Sequence, residues 1–357
     1  MLGTHIPEAA VMGPRFGGGR QLVAWIERSE IRDGTRETLP HFATLNAGYA
    51  ATRGTDRLEM GASFLQTDTS QLSAANSERI RQCPACGRAS EHTFRFRVNG
   101  CDILQCHACG LGRTETSAFD PADYYTEDYF SGRRADGYSD YRGAEPVLRR
   151  EFARSVDFIR QYCEGGKLLE LGCAYGFFLM EAARHFDVAG IELAPEAAEH
   201  GRRAGLNILQ GMADAATLQR LGRVDVVVLF DVIEHLPEPR ETLALCRDHV
   251  NAGGIIVITT GDFGSAAARL AGTRWRLMTP PQHLWFFTQE SVRRLAAGLG
   301  LAVEHLDHPW KIVPASLIVF QLRRMLGLRG ESVTAASRIG VPVNLFDAMR
   351  IVLRKPA

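Results

Sequence analysis

The sequence has no excess of charge of either sign. Lys and Arg together number 41, as do Asp and Glu, so the chain is formally neutral at pH 7. Proteins that coat a polyanion carry a cationic excess, and neutrality argues against that class while leaving room for a local basic patch. Long hydrophobic runs are also missing. The longest apolar stretches, such as 224–230 and 254–260, fall well short of the roughly 18 residues that cross a bilayer. The opening residues lack a basic segment followed by an apolar one, so they do not read as a secretory signal. Cysteine is scarce. Eight in 357 residues are too few for a disulfide scaffold, and four of them stand in two close pairs. A reducing, cytoplasmic setting is therefore expected. With 45% hydrophobic and 23% charged residues, the composition is that of an ordinary globular protein, and its length suits one large domain plus a smaller unit.

The chain divides by pattern. Residues 1–78 show no sustained helical or strand period and read as a disordered leader, with Gly17-Gly18-Gly19 and a Ser/Thr/Asn/Gln-rich run from Gln66 to Ser77. The stretch from Val23 to Asp33, followed by Pro40 to Tyr49, resembles a peptide that recurs where dispersed genomic repeats are read through as coding sequence. On that resemblance residues 1–59 are upstream read-through, and Met60 is the expected start. This segment holds seven arginines and seven acids, so the remainder is neutral too.

Residues 79–115 carry Cys83-Pro-Ala-Cys86 and Cys106-His-Ala-Cys109, a C-x2-C-x19-C-x2-C spacing within the range of four-thiolate zinc sites. Two short loops each aim two thiolates at one tetrahedral ion, and Gly87 and Gly110 follow the second cysteine of each loop. Between the pairs, two strand-like runs flank Asn99-Gly100, the favoured type I′ hairpin turn. This is a zinc-ribbon layout in which all four ligand positions are thiolates, so the ion is structural. Cys101 reads as a strand residue, and Cys163, Cys173 and Cys246 as small buried residues.

Residues 116–145 form a linker or lid, in which Tyr124, Tyr125, Tyr129 and Phe130 are placed either to close over a bound molecule or to pack between domains. From 146 to 357 strands and helices alternate. Strands are expected at Lys167–Leu171, 188–193, Asn207–Gln210, Val224–Phe230 and 255–260. Helices are expected at 176–185, 195–204, Ala215–Leu221 and 238–250. That alternation implies βαβ units and a parallel sheet.

The chemistry clusters at strand ends. Glu170-Leu-Gly172-Cys-Ala-Tyr-Gly176 leaves the first strand through a glycine turn, and its spacing is not the Gly-x-Gly-x-x-Gly of dinucleotide binders. Glu192 ends the second strand, where a carboxylate can accept from both hydroxyls of a ribose. Asp214 follows the third, and Phe230-Asp231 ends the fourth. With Asp231-Val-Ile-Glu-His-Leu236 and Asn251-Ala-Gly-Gly254, these residues resemble the class I S-adenosylmethionine-dependent methyltransferases over residues 146–357. The resemblance implies a Rossmann-like, seven-stranded α/β sheet. It places Glu170, Gly172 and Gly176 around the methionine part of S-adenosylmethionine, Glu192 on the ribose and Asp214 on the adenine. Phe230 and Asp231 would line its carboxylate and amino end. A narrower resemblance rests on Cys106-x-x-Cys109-Gly-Leu, Tyr124-Tyr125-x-x-x-Tyr129-Phe130 and Pro280-Pro-Gln-His-Leu-Trp-Phe-Phe-Thr288. It is to bacterial methyltransferases with a small N-terminal zinc ribbon, some of which modify nucleotide sugars while others accompany cell-surface glycan genes.

Transfer to a hydroxyl or carbon acid needs a base, and His283, His235 and Glu234 are the candidates. Trp275, Trp285, Phe286 and Phe287 are assigned to an apolar wall or to the core. Residues 313–328 are read as an apolar insert helix with a basic edge, lidding the site, with peripheral membrane contact as the second reading. Residues 231–234 lack the Asn/Asp-Pro-Pro-Tyr type of motif that marks methylation of base amines. The expected acceptor is a small molecule or glycan precursor, methylated at O or C. The alternatives are an RNA-modifying zinc-ribbon methyltransferase and a catalytically silent cofactor-binding protein. Between Arg81 and Arg113 the arginines outnumber the two acids, Glu91 and Asp102, a mild bias with no ordered basic-aromatic stripe. Nucleic acid is thus not the expected partner.

Overall fold

Apolar β-branched runs become strands and capped amphipathic runs become helices in the computed structural model, which describes residues 80–116, 130, 140–325 and 334–357. The leader 1–78, Tyr124, Tyr125, Tyr129 and residues 326–328 lie outside the described residues. In chain order the elements are β1 (Ile80–Cys83), β2 (Arg88–Val98), β3 (Cys101–Cys106), β4 (Gly112–Glu115), α1 (Glu145–Ile159), β5 (Lys167–Leu171), α2 (Phe177–Ala182), β6 (Asp187–Glu192) and α3 (Pro195–Arg203). There follow β7 (Asn207–Gln210), α4 (Ala215–Leu221), β8 (Val224–Phe230), α5 (Pro239–His249), β9 (Val250–Gly261), α6 (Ala266–Ala271), β10 (Trp285–Phe286) and α7 (Gln289–Gly298). The chain ends with β11 (Ala302–Asp307), β12 (Lys311–Pro314), α8 (Ala315–Met325), β13 (Gly340–Val343) and β14 (Ala348–Arg354).

Seven strands form one sheet in the order β11-β14-β9-β8-β5-β6-β7. The pairs from β9 through β7 are parallel, and β14 runs antiparallel between β9 and β11. β8 sits at the centre. Val226, Val227, Val228 and Leu229 are fully buried, as a parallel strand covered on both faces requires. Helix starts follow from local chemistry. Proline stands in the first turn of α1, α3 and α5, and Thr288 and Ser291 form a reciprocal cap on α7.

Two of the boundary differences from the sequence pattern have a plain physical reason. The helix expected from 176 starts at Phe177 because Gly176 is left-handed (φ +80°), and it stops at Ala182. The strand expected at 255–260 runs from Val250 to Gly261. The Asn251-Gly254 turn motif is drawn into it by pairing of Val250 with Val224, across a register shift between Val224 and Val226.

The cysteine segment does not complete its own sheet. Strands β1 to β4 are joined by β10, giving a five-stranded sheet β1-β2-β3-β4-β10 in which Trp285 pairs with Arg113 and Phe286 with Gly112. Asn99 (φ +50°) and Gly100 (φ +78°) make the hairpin turn between β2 and β3 with both residues left-handed, as type I′ demands. Cys83, Cys106 and Cys109 are buried in the same apolar cluster as Phe287, Leu295 and Leu299. Arg240 donates to the carbonyls of both Pro84 (3.1 Å) and Gly298 (2.9 Å), and the Thr288 hydroxyl donates to that of Cys109 (3.0 Å). Trp275, Trp285, Phe286 and Phe287 are buried core residues. Among the described residues, no helix is long and apolar enough to cross a membrane.

Candidate active site

The strand order reverses between β5 and β8, and the carboxyl ends of the strands at such a point are the position at which open α/β sheets bind ligands. The glycine turn after β5 stands on one side. Gly172 is left-handed (φ +69°), and a Cβ on it would stand 2.7 Å from Val232 Cγ2, so only glycine fits between the two loops. Gly172 N donates to Ile191 O (2.8 Å), fastening the turn to the next strand. Glu192, at the end of β6, is buried and accepts from Ala174 N (2.7 Å) with one oxygen and from Ala194 N (2.8 Å) with the other. These contacts aim the carboxylate and leave further lone-pair directions on each oxygen. Behind it lies Glu170, whose buried Oε2 has no hydrogen-bond partner among the described residues. Burial, then the neighbouring Glu192 charge, pushes the Glu170 carboxyl well above the usual range.

On the other side is the turn after β8. Asp231 takes a left-handed backbone (φ +54°), with its N–H donating to Thr259 O (3.0 Å). Its carboxylate accepts from the Thr259 hydroxyl (2.9 Å) and lies 3.4 Å from the Lys311 ammonium. Its side chain is 45% exposed, and against a partial loss of water the Lys311 ammonium and the Thr259 hydroxyl hold its carboxyl below the ordinary value. Phe230, the last residue of β8, is half-buried. Its ring stacks on Phe152 and meets Phe178 edge-on. Asp214 is exposed and caps α4, accepting from Thr217 N at 2.7 Å. Phe130 packs edge-on against Tyr175 of the glycine turn, with Tyr141 stacked on Tyr175 and Phe177.

The three candidate bases converge. Glu234, His235 and His283 each bring a donor atom within 4.8 Å of the others. The imidazole rings of His235 and His283 meet edge to face at 4.7 Å. Burial, then the Asp231 charge, pushes the Glu234 carboxyl up to about 8. Burial holds His235 down at about 4, against the opposing bond to Gln282 O and the Asp231 charge. Burial thus favours the neutral form of both groups. The ribbon strands hold the loop that brings His283 here. The Thr114 hydroxyl donates to His283 O (2.6 Å), Thr114 N to Leu284 O (2.9 Å), and Asn99 Nδ2 to Pro280 O (2.8 Å). Leu284 N in turn donates to Glu234 O (2.9 Å).

Sequence reasoning did not anticipate Thr114, Thr259, Lys311 or Tyr175. Lys311 and Thr114 carry no local signal because their partners lie far away in the chain. Thr259 had one, a hydroxyl at the carboxyl end of an apolar strand beside that point of reversal.

The cysteines also converge. Cys83 and Cys109 sulfurs are 3.6 Å apart and those of Cys86 and Cys106 are 3.9 Å apart. Four thiolates about 2.3 Å from a tetrahedral zinc stand about 3.8 Å from one another, so the residues fit that ion. The orphaned Glu170 oxygen and the glycine-only turn beside Glu192 likewise suit a polar, nucleoside-bearing ligand.

The methyltransferase domain family model matches residues 146–306. A ubiquinone biosynthesis O-methyltransferase of Cereibacter sphaeroides is 32% identical over 150 residues, covering 39% of this chain and 61% of that protein. The protein of that name from a Caulobacter species is 31% identical over 168 residues, 41% of this chain and 67% of its own length. The chain thus spans 61% of the length of the first of these relatives. A magnesium protoporphyrin IX methyltransferase of Synechocystis, solved with bound SAH, aligns at 10% identity and a TM-score of 0.42, covering 64% of this chain and 97% of its own. By its domain and its relatives, the chain belongs to the class I S-adenosylmethionine-dependent methyltransferases.

Proposed function

We propose that this chain transfers the methyl group of S-adenosylmethionine to an oxygen of a small-molecule acceptor. One observation carries the reading. The glycine turn, Glu192 and Asp231 stand at the carboxyl ends of β5, β6 and β8, around the point where the strand order reverses, and Glu234, His235 and His283 cluster just after Asp231. When bound, the donor supplies a methyl on a positively charged sulfur that is already a good leaving group. Glu192 orients the ribose hydroxyls. Glu170, Gly172 and Gly176 shape the pocket for the methionine portion, and Asp231 and its Phe230 backbone meet the amino and carboxylate end. Asp214 lies on the adenine side. Holding acceptor and methyl in line is worth about 7–11 kcal/mol. Neutral imidazole at His235 or His283 is the form that accepts a hydroxyl proton.

The relatives' O-methyltransferase names support oxygen over carbon, and a phenolic or sugar hydroxyl, including one on a nucleotide sugar, fits the same donors. The four thiolates hold a structural zinc whose ribbon props the His283 loop through Thr114 and Asn99. The ribbon's commitment to its own chain disfavours the RNA reading. Thiolates that must stay reduced suit the cytoplasm. The test is calorimetric binding of S-adenosylmethionine to the full chain, followed by radiolabel transfer to a panel of phenols and nucleotide sugars. Failure to bind the donor defeats the reading.

A further inference from the structure

We propose that Glu234, His235 and His283 form a second cation site, which takes one divalent transition ion of the Mn2+ or Zn2+ kind and presents it to the acceptor. Three observations support it. One carboxylate and two imidazoles from two separate segments bring donor atoms within 4.8 Å of one another. Ligands about 2.1 Å from a common ion stand about 3–3.5 Å apart, so closure asks each side chain to move by about an ångström. Second, Glu234 is only 4% exposed, and its buried Oε2 has no hydrogen-bond partner among the described residues. A buried carboxyl oxygen with nothing to accept from is costly, and the nearest acidic neighbour, Asp231, cannot supply a proton donor while ionised. A cation would satisfy it. Third, the supporting contacts suit ligation. His235 Nδ1 is 3.0 Å from Gln282 O, so the ring donates there and carries its lone pair on Nε2, the backing by which ligating histidines are usually oriented. The His283 loop is fixed through Thr114 Oγ1 to His283 O and Leu284 N to Glu234 O, which locks the two segments in register.

The donor set also sets the class of ion and its use. Imidazole and carboxylate suit Mn2+, Fe2+, Co2+ or Zn2+ and not the thiophilic role of the ribbon. Three protein ligands leave positions open, as catalytic sites do. With both imidazole lone pairs on the ion, the acceptor's proton passes to solvent in place of an imidazole, and a hydroxyl entering an open position releases it more readily. Its oxygen then forms the new C–O bond as the donor C–S bond breaks, with that electron pair passing to sulfur. The ion's use rests on the methyltransferase reading, but its binding does not.

The experiment titrates the full chain, carrying one zinc per chain by elemental analysis, with Mn2+ alone, following free Mn2+ by electron paramagnetic resonance. Calorimetric binding of S-adenosylmethionine is measured on the same samples. The expected result is one bound Mn2+ in the wild type, lost in Glu234→Gln and at least tenfold weaker in His283→Asn, with donor affinity unchanged in both. Wild type that carries two zinc ions while Glu234→Gln carries one supports the site equally. No second ion in the wild type, or undiminished Mn2+ binding in both variants, overturns it. Mn2+ binding without donor binding leaves the site standing and defeats the methyltransferase reading.

Discussion

Two donor clusters lie on either side of the loop that ends at Thr288, and they differ in nearly every property. The thiolate cluster is chemically uniform, spaced as two short knuckles, and folded into the main apolar core. Four thiolates on one tetrahedral ion would leave no position for a substrate. The Glu234, His235 and His283 cluster is mixed, assembled from two distant segments, and placed at the carboxyl edge of the sheet beside Asp231. The difference teaches how the chain divides labour. A closed set of identical ligands is suited to hold structure, and Thr114 and Asn99 tie its strands to the loop bearing the mixed set.

The comparison is broken most severely at the thiolates. Cys83→Ser, or zinc chelation, should lower the melting temperature by about 10 °C or more, since the ion's binding energy is folding energy and Cys83 is wholly buried. Calorimetry or circular dichroism reads this. At the open cluster the fold should survive while turnover fails. His283→Ala is expected to lower kcat by about 10²–10⁴-fold with donor affinity and melting temperature nearly unchanged, and a melting loss matching that of Cys83→Ser would erase the distinction. Glu192→Ala separates the donor pocket from both clusters. S-adenosylmethionine affinity should fall by about 10- to 100-fold, as two charge-assisted bonds and the proposed ribose contact vanish.

Glu234 sharpens the contrast through pH. Its carboxyl is raised from 4.5 to about 8 by burial, so the stability of its neutral form is complete below pH 4.5 and is lost as pH climbs through 8. In chelator, Glu234→Gln should therefore gain melting temperature over the wild type as pH rises from about 5 to about 9. An unchanged difference across that range would contradict the burial argument. The smallest effect belongs to Asp214→Ala. Losing the α4 cap should cost about 1 kcal/mol, a shift of a few degrees, with donor affinity falling less than in Glu192→Ala.

Much of the parallel sheet was legible because each strand is a short apolar run between turn residues. β5, β7 and β8 match their expected bounds, while β6 is shifted by a residue. The acids at the strand ends were legible for the same reason, since Glu192 and Asp231 are positioned by the strands they terminate. The packing of the Phe230 ring on Phe152 and Phe178 was not, because what meets a side chain at the end of a strand comes from distant segments. Nor was the sharing of β10 with the cysteine sheet. A two-residue strand has no periodicity of its own, and Trp285 and Phe286 become a strand only because β4 offers an edge.

By itself the sequence determined the kinds of chemistry available: four thiolates at knuckle spacing, a glycine turn after an apolar strand, and acids at successive strand ends. Each is encoded within a few residues, where backbone geometry alone sets the outcome. The tertiary structure decided what meets what. It brought His283 to Glu234 and His235, set Lys311 against Asp231, and joined the cysteine sheet to the His283 loop through Thr114. Such contacts form between segments that only packing brings together, and local sequence patterns carry no record of them.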